Sequence, residues 1–275
     1  MIFSKKRVCE FSFMFLVLAA SIATLARAQE VDDEREFSYD ESSEVGPSRW
    51  GEIHSEWKDC NSGQMQSPID LRNKRVKIVS HLGKLKRSYK PANATLINRG
   101  HDMMLRWIND AGHIKINGTK FYLRQCHWHS PSEHTLDGRK FDMEVHLVHE
   151  SDTGRMAVIG IMYKIGRRDT FISMLKPRFQ ALSELTDIEK TIGVIDPYLI
   201  KFGSRKYYRY IGSLTIPPCT PNIIWSIVRK VRTVTKEQVN LIREAVHDNL
   251  EVNARPIQRT NGRSVEIYRP NDPKN

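Results

Sequence analysis

One stretch of the sequence decides how the rest is interpreted: Gln125-Cys126-His127-Trp128-His129-Ser130-Pro131-Ser132-Glu133-His134. In a β-strand, residues two apart point to the same face of a sheet. Gln125, His127 and His129 would therefore share one face, while Cys126 and Trp128 would take the other. On a helix the two histidines would diverge and could not readily act together. The stretch thus predicts a strand that carries two imidazoles on one face.

A second strand is predicted downstream, because residues 140–150 also alternate. One face would carry Asp142, Glu144, His146 and Val148. His149 falls on the opposite face. If the two strands were antiparallel neighbours, His127, His129 and His146 could surround one metal ion with an open coordination position, as in catalytic zinc sites. From the spacings alone, the alternative that these histidines only satisfy hydrogen bonds remains equally open.

The rest of the chain predicts a mainly β (α+β) fold in a single domain. Strand-forming or alternating residues occur over 93–98, 103–108, 113–116, 121–129, 141–148 and 156–163. One helix is predicted over 236–248, where Thr235 and Gln238 form a capping box. A second would cover part of 169–182, with Pro177 breaking or kinking it.

The first 28 residues are interpreted as a secretory signal peptide. A basic head, Lys5-Lys6-Arg7, precedes an apolar run over 11–26, and Ala26-Arg27-Ala28 fits the cleavage pattern. The run is shorter than the ~20 residues that span a bilayer, which disfavours an uncleaved anchor. The domain would occupy 29–275, with an acidic, mobile arm over 29–46 before a fold that starts near Trp50. The mature chain is predicted to have no membrane span.

The excess of basic over acidic residues indicates which macromolecules the protein could bind. The 275 residues include 43 Lys and Arg and 32 Asp and Glu, for a formal charge of +11. Such an excess raises nucleic acids and acidic surfaces as partners. The basic residues lie in short clusters at 74–75, 84–87, 167–168, 205–206 and 229–230, without interleaved aromatic residues. We therefore expect a solvated basic surface and no nucleic-acid partner.

Cleavage of the signal peptide would leave three cysteines: Cys60, Cys126 and Cys219. In an oxidising compartment, three cysteines predict one disulfide and one free thiol, and their spacing does not identify the pair. Asn93-Ala94-Thr95 and Asn117-Gly118-Thr119 are predicted N-glycosylation sites, because the chain is expected to enter the secretory pathway.

Six motifs occur in the order in which one protein family has them. They are Gln66-Ser67-Pro68-Ile69-Asp70, Asn98-Arg99-Gly100-His101, the stretch 125–134 quoted above, Glu144-Val145-His146-Leu147-Val148-His149, Gly212-Ser213-Leu214-Thr215-Ile216-Pro217-Pro218-Cys219 and Asn253-Ala254-Arg255-Pro256. Through them the sequence resembles the α-type carbonic anhydrases, and the plant members in particular, over roughly residues 37–268. The resemblance implies a large, twisted, mostly antiparallel central sheet with short helices around it.

The resemblance also implies a zinc enzyme that reversibly hydrates carbon dioxide to bicarbonate and a proton, by attack of zinc-bound hydroxide. The residues that match the metal ligands are His127, His129 and His146. The groups that match their hydrogen-bond partners are Gln125, Glu144 and the backbone carbonyl of Asn253.

Further roles follow from the same resemblance. Thr215 matches the residue that accepts a hydrogen bond from the hydroxide and donates one to Glu133, and its backbone amide would receive a bicarbonate oxygen.

His101 matches the proton shuttle, because an imidazole can take up the proton that zinc-bound water releases. The matching substrate pocket consists of Val148, Val158, Leu214, Thr215 and Trp225. Tyr39 matches a tyrosine at the cavity mouth, and Cys60 and Cys219 match the disulfide of secreted members.

Four positions depart from the family pattern. Arg99 and Met104 replace two polar residues beside the proton path, Ile216 stands where threonine is common, and Cys126 stands where an apolar residue is usual. Arg99 would place a positive charge beside His101, and Met104 cannot hydrogen-bond water strongly. We therefore predict that proton export limits turnover when buffer is scarce.

Two alternatives stand beside this interpretation. A non-enzymatic relative, such as the tuber storage proteins of the family, would keep the fold with little or altered catalysis, although here all three ligands are present. A basic surface-binding module would act through its cationic patches instead. The signal peptide implies passage through the endoplasmic reticulum, and the sequence does not distinguish the extracellular space or apoplast from the plastid stroma as the destination.

Overall fold

The computed structural model describes residues 36–183, 185, 188–244 and 252–270. The expected signal peptide lies outside the described residues, as do the first part of the acidic arm and the end of the helix predicted over 236–248.

Strands dominate the described residues. Their bounds are Asp70–Leu71 (β1), Lys77–Ile78 (β2), Arg87–Tyr89 (β3), Ala92–Asn98 (β4), Met103–Trp107 (β5), Gly112–Ile116 (β6), Thr119–His129 (β7), Thr135–Leu136 (β8), Met143–Glu150 (β9), Met156–Ile165 (β10), Glu189–Ile195 (β11), Tyr207–Ser213 (β12), Pro221–Val228 (β13), Arg232–Val234 (β14) and Glu266–Tyr268 (β15). The six predicted strands correspond to β4 to β7, β9 and β10, with ends shifted by one or two residues.

One mixed sheet joins 13 of the described strands. Ten of them follow the order β11-β4-β5-β7-β9-β10-β13-β12-β15-β2, with β3, β6 and β14 attached beside this path. Neighbours run antiparallel except where β10 pairs with β13 and β14, and where β15 pairs with β2. The mainly β class and the mostly antiparallel sheet are thereby confirmed. The strands β7 and β9, which carry the histidines, are neighbours in the middle of the sheet.

The α-helices of the described residues are short and lie outside the sheet path. They are Trp50–Ile53 (α1), Asp59–Ser62 (α2), Thr170–Gln180 (α3) and Lys236–Glu244 (α4). The predicted capping box starts α4: the Gln238 amide donates to Thr235 Oγ1 (3.3 Å), and the Thr235 amide donates to Gln238 Oε1 (3.2 Å). Within the described ranges, none of the helices combines the length and apolarity needed to cross a bilayer.

Of the two effects predicted for Pro177, breaking the helix is wrong, because α3 continues past it to Gln180. Proline removes one backbone donor from the helix. Burial of the next turn compensates: Phe179 is fully buried and packs edge-on against Trp128, with ring centroids 5.4 Å apart.

Apolar side chains fill both faces of the sheet. On β9, Val145 and Leu147 join one core cluster, whereas Val148 belongs to the cluster on the other side. This alternation is the one expected of a strand that is covered on both faces.

The fold begins earlier than the expected start near Trp50. Phe37 is 1% exposed and packs edge-on against Trp50, with ring centroids 5.0 Å apart. Tyr39 is buried in the same small cluster, which also contains Cys60, Cys219 and Ile216. Aromatic burial therefore makes residues 37–46 part of the folded domain, despite their acidic composition.

Candidate metal centre

The pairing of β7 with β9 brings the three predicted histidines together. His127 lies directly opposite His146 in this antiparallel pair, and His129 follows on the same face. One ring nitrogen of each histidine lies within 4.8 Å of the other two. All three side chains are buried. The juxtaposition expected from strand parity is therefore present.

Parity also separates His149 from this cluster, as expected. His149 faces the opposite core, where its Nε2 lies 2.7 Å from the hydroxyl of Tyr89. Its Nδ1 donates to the carbonyl of Ala157 (3.1 Å). Burial lowers the pKa of His149 to about 3, so this ring is neutral and structural.

Hydrogen bonds orient the two histidines of β7. His127 donates from Nδ1 to Gln125 Oε1 (2.9 Å), and His129 donates from Nδ1 to the carbonyl of Asn253 (2.7 Å). Each ring therefore carries its proton on Nδ1 and presents the lone pair of Nε2. Such partners fix the tautomer and ring orientation of metal-binding histidines.

The third histidine has the opposite tautomer. His146 donates from Nε2 to Glu144 Oε1 (3.0 Å), which leaves its Nδ1 lone pair for a metal. Glu144 Oε1 also accepts from His134 Nδ1 (2.8 Å). Burial alone would raise the pKa of Glu144, but His134 and His146 hold it well below its usual range. Glu144 is therefore an anionic acceptor for both rings.

A second group, His134 with Glu144 and His146, also has ligand atoms close together. Both nitrogens of His134 have partners, however: Nδ1 bonds to Glu144, and Nε2 lies 2.7 Å from the hydroxyl of Tyr210. His134 is therefore a hydrogen-bonding residue, and the group of His127, His129 and His146 is the candidate metal site.

The donor set fits zinc. Burial, together with the neighbouring charges of His129, Arg99 and His146, holds the pKa of His127 well below its usual range. Burial likewise lowers the pKa of His146, although Glu144 opposes the shift. Nε2 of His129 is buried without a hydrogen-bond partner in the part of the chain that the structure describes. Three imidazoles with no carboxylate among them are a donor set typical of catalytic zinc sites.

Glu133 lies beside this centre and is fully buried. Its Oε1 accepts from the backbone amide of Arg255 (2.9 Å), and its Oε2 lies 3.7 Å from His129 Nε2. Oε2 has no hydrogen-bond partner among the described residues. In this structure the Thr215 hydroxyl, which is the donor that the resemblance implies, therefore makes no hydrogen bond to Oε2.

An apolar wall, formed by Val148, Val158, Leu214 and Trp225, adjoins the histidines. Val148 pairs with Val158, and Val158 pairs with Trp225, so three members lie side by side on β9, β10 and β13. The Trp225 ring centroid is 4.8 Å from that of His146. The four residues, which the family resemblance predicted as one pocket wall, thus belong to one buried apolar cluster.

Comparison with known proteins agrees with this geometry. The sequence model of the eukaryotic-type carbonic anhydrases matches residues 45–269. This chain belongs to the α-carbonic anhydrase family. The family's reaction is the zinc-dependent, reversible hydration of carbon dioxide to bicarbonate and a proton.

Relatives and solved structures support the assignment. Alpha carbonic anhydrase 7 of Arabidopsis thaliana is 58% identical over 257 residues, which are 94% of this chain and 93% of the relative. Dioscorin, solved as a complex with ascorbate, superposes with a TM-score of 0.82 at 44% identity, covering 84% of this chain and 97% of that structure. The α-carbonic anhydrase of Thermovibrio ammonificans, solved with sulfanilamide, has a TM-score of 0.76 at 30% identity, with 84% and 98% covered.

In this carbonic anhydrase, His101 is enclosed by the N-terminal segment. Its ring is 7% exposed and packs against Phe37 and Tyr39, with ring centroids 5.2 Å and 5.5 Å away. Its backbone carbonyl accepts from Asn253 Nδ2 (2.7 Å). Because Asn253 also accepts from His129, one residue joins the predicted shuttle to a predicted metal ligand.

The expected charge of Arg99 beside His101 requires a correction. Arg99 forms a buried ion pair with Asp102, in which Nε donates to Oδ1 at 2.8 Å and a second guanidinium nitrogen contacts Oδ2. The positive charge is therefore largely compensated. Sequence reasoning missed this pair, although Asp102 stands only three residues after Arg99.

The cysteines behave as the family resemblance implied. Cys60 and Cys219 form a disulfide across 159 residues of sequence. Cys126 is a free, buried thiol on the face of β7 away from the histidines. Burial raises its pKa well above the usual range, with a further contribution from Asp102, so it is unreactive in the folded protein.

Two further residues, Gly160 and Tyr210, contribute to the site, and neither of them was predicted from the sequence. Gly160 lies opposite His146, where an added Cβ would stand 2.7 Å from Glu144 Oε1 and 2.6 Å from Ile227. Glycine is therefore required there for the Glu144 carboxylate to fit. Tyr210 joins His134 to Ser67, whose Oγ lies 2.8 Å from the tyrosine hydroxyl. No local motif signals either role, since both arise from strand pairing.

Proposed function

We propose that His127, His129 and His146 hold the zinc ion of this carbonic anhydrase, and that Glu133, Thr215 and His101 assist the hydration of carbon dioxide. One observation carries the proposal: three buried imidazoles present nitrogen atoms to one point, and each has a separate partner that sets its tautomer. Zinc bound there would supply a Lewis acid that ionises water.

Thr215 and Glu133 would orient the nucleophile. The Thr215 hydroxyl would accept a hydrogen bond from it and donate its own proton to Glu133. Oε2 of Glu133 is a suitable acceptor, because it is buried and has no other hydrogen-bond partner among the described residues. The Arg255 amide on Oε1 would keep the carboxylate in place.

The apolar wall would bind carbon dioxide. The substrate is small and uncharged, so it offers few hydrogen-bonding groups. Val148, Val158 and Trp225 are each less than 5% exposed and present a continuous apolar surface next to His146. Such a surface excludes water from the substrate position, while the backbone amide of Thr215 would receive the bicarbonate oxygen.

Two measurements on the purified protein test this function: zinc content and carbon dioxide hydration by stopped flow. We expect about one zinc per chain and fast hydration. Glu133→Gln should keep zinc but lose most activity, roughly a hundredfold in kcat/KM, because a positioned acceptor is removed. Stoichiometric zinc without hydration would support the storage-protein alternative and contradict the proposal.

We also propose that residues 1–28 direct the protein into the secretory pathway and that Asn93 and Asn117 are glycosylated. Both asparagines are exposed, and Asn117 lies in a turn. The disulfide supports the same route, because disulfides persist in oxidising compartments. Expression of the full chain with a C-terminal fluorescent protein in plant cells would distinguish the apoplast from the plastid stroma. Endoglycosidase digestion of the wild type, Asn93→Gln and Asn117→Gln would count the glycans.

A further inference from the structure

The fold gathers cationic side chains from separate sequence segments into one surface groove, here called the basic groove. Its cationic residues are Lys84, Lys86, Arg87, Lys201, Arg205 and Arg232. The groove has a volume of about 720 Å³, and no Asp or Glu of the described residues lines it. None of its residues belongs to the metal centre or the apolar wall. Two of the basic clusters of the sequence, 84–87 and 205–206, therefore contribute to one surface in space, together with Lys201 and Arg232.

The walls of the groove are held by specific contacts. The Tyr207 hydroxyl lies 3.1 Å from the carbonyl oxygens of Leu82 and Gly83, which ties the segment before Lys84 to β12. On the other side, Gly203 lies so close to Arg232 that an added Cβ would be 3.1 Å from its Cδ. The shape of the groove is thus fixed by contacts within the folded domain.

Its positive charge is only weakly compensated. Asp169 Oδ2 is 3.6 Å from Arg232, while its Oδ1 accepts from the amides of Phe171 and Ile172 in the first turn of α3. Asp196, near Arg87, accepts from the amide of Tyr198 (2.9 Å). Nε of Arg232 is buried and has no hydrogen-bond partner among the described residues. The lining of the groove thus carries six cationic side chains and no acidic one among the described residues, which favours an anionic ligand.

The surroundings favour an acidic polysaccharide over a nucleic acid. Single-stranded nucleic acids bind by stacking bases on exposed aromatic rings. The aromatic residues of the groove are closed to such stacking: Phe202 and Tyr207 are 7% and 2% exposed, and Arg87 lies 3.9 Å above the Phe202 ring. The disulfide indicates the secretory pathway, where linear polyanions are mainly polysaccharides. The arginine guanidinium groups match the planar fork of a carboxylate.

We propose that the basic groove binds a linear polyuronate, a polysaccharide with a carboxylate on each sugar, and so attaches the enzyme to an acidic matrix. Binding is electrostatic and spans several sugars, so it weakens steeply with salt. It leaves the metal centre open, because the residues of the groove are separate from those that surround the histidines.

The test uses the full mature protein and surface plasmon resonance on immobilised polygalacturonate. The same polymer with its carboxylates methyl-esterified is the neutral control, and single-stranded DNA is the competing polyanion. The groove variant is Lys84→Gln with Lys86→Gln, two exposed lysines. The matched control is Lys58→Gln with Lys140→Gln, which removes the same charge from two exposed lysines that neither line the groove nor lie on a strand paired with its residues. Carbon dioxide hydration by each variant reports that it is folded.

We expect the wild type to bind polygalacturonate and not the esterified polymer. The groove variant should bind roughly five- to tenfold more weakly, with a smaller salt dependence, whereas the control variant should bind like the wild type. Lys84→Arg with Lys86→Arg should restore binding. Equal loss in the groove and control variants would overturn the proposal, as would tighter binding to DNA. The rate of carbon dioxide hydration should be the same in the wild type and in every variant. Failure of the binding proposal can therefore be distinguished from failure of the catalytic proposal.

Discussion

His101 donates a hydrogen bond from Nε2 to the backbone carbonyl of Phe37, across 2.8 Å. This contact ties the predicted proton shuttle to the N-terminal segment, on which the rings of Phe37 and Tyr39 enclose it. Release of a proton from Nε2 requires that this bond break. We therefore expect this backbone carbonyl, which lies outside the active-site motifs, to slow proton export.

We expect proton export, rather than attack on carbon dioxide, to limit turnover when buffer is scarce. Met104, paired with His127 on the neighbouring strand, adds to this effect because its thioether organises water poorly. In stopped-flow hydration, turnover should rise several-fold with imidazole buffer, while kcat/KM barely changes. Met104→Asn should reduce the buffer dependence. A wild-type turnover that is flat across buffer concentrations would exclude this account and leave the zinc chemistry untouched.

His146 and His149 should respond differently to the same substitution. His146→Ala removes a metal ligand, so zinc content and activity should fall close to zero. His149→Ala should retain about one zinc per chain, although loss of two buried hydrogen bonds should lower the free energy of unfolding by about 3 kcal/mol. Metal analysis and urea unfolding measure the two effects. Zinc loss in His149→Ala with zinc retained in His146→Ala would reverse the assignment.

Gly160→Ala should weaken zinc binding without changing any ligand. The new methyl group would displace the Glu144 carboxylate from His146, and loss of such a partner typically weakens metal affinity by about 10- to 100-fold. Competition with a zinc chelator measures the change. Gly166→Ala is the control, since its Cβ would meet mainly the Thr233 side chain, which contacts none of the zinc ligands. Equal zinc affinity in the two variants would show that the Glu144 carboxylate can be displaced without weakening zinc binding.

Loss of the disulfide should destabilise the fold strongly. The double variant Cys60→Ser with Cys219→Ser frees a loop of 159 residues, which in the chain-entropy model costs about 5 kcal/mol of unfolding free energy. Urea unfolding of the wild type and the variant gives the difference. Non-reducing peptide mapping and thiol labelling add a second check: without reductant, one thiol, Cys126, should react only after unfolding. A mapped pair that contains Cys126 would contradict the structure.

Local sequence determined the elements that carry the chemistry. The alternation around His127, His129 and His146 fixed which side chains share a face, because the side-chain period of a strand is two. It also separated His149 from the other three histidines, and the capping box of Thr235 and Gln238 predicted the start of α4. These features depend only on neighbours in the chain, so they could be predicted without knowing the pairing of strands. The disulfide and the roles of Thr215 and Glu133 came from family resemblance alone.

Tertiary structure decided everything that joins distant segments. Asn253 accepts from His129 across 124 residues of sequence, Gly160 makes room for Glu144 only because β10 pairs with β9, and Phe37 reaches His101 only because the N-terminal segment folds over it. The same holds for the basic groove, whose lysines and arginines are scattered in sequence. The physical reason is that local periodicity specifies the face on which a side chain lies, whereas strand register and packing specify what it meets there.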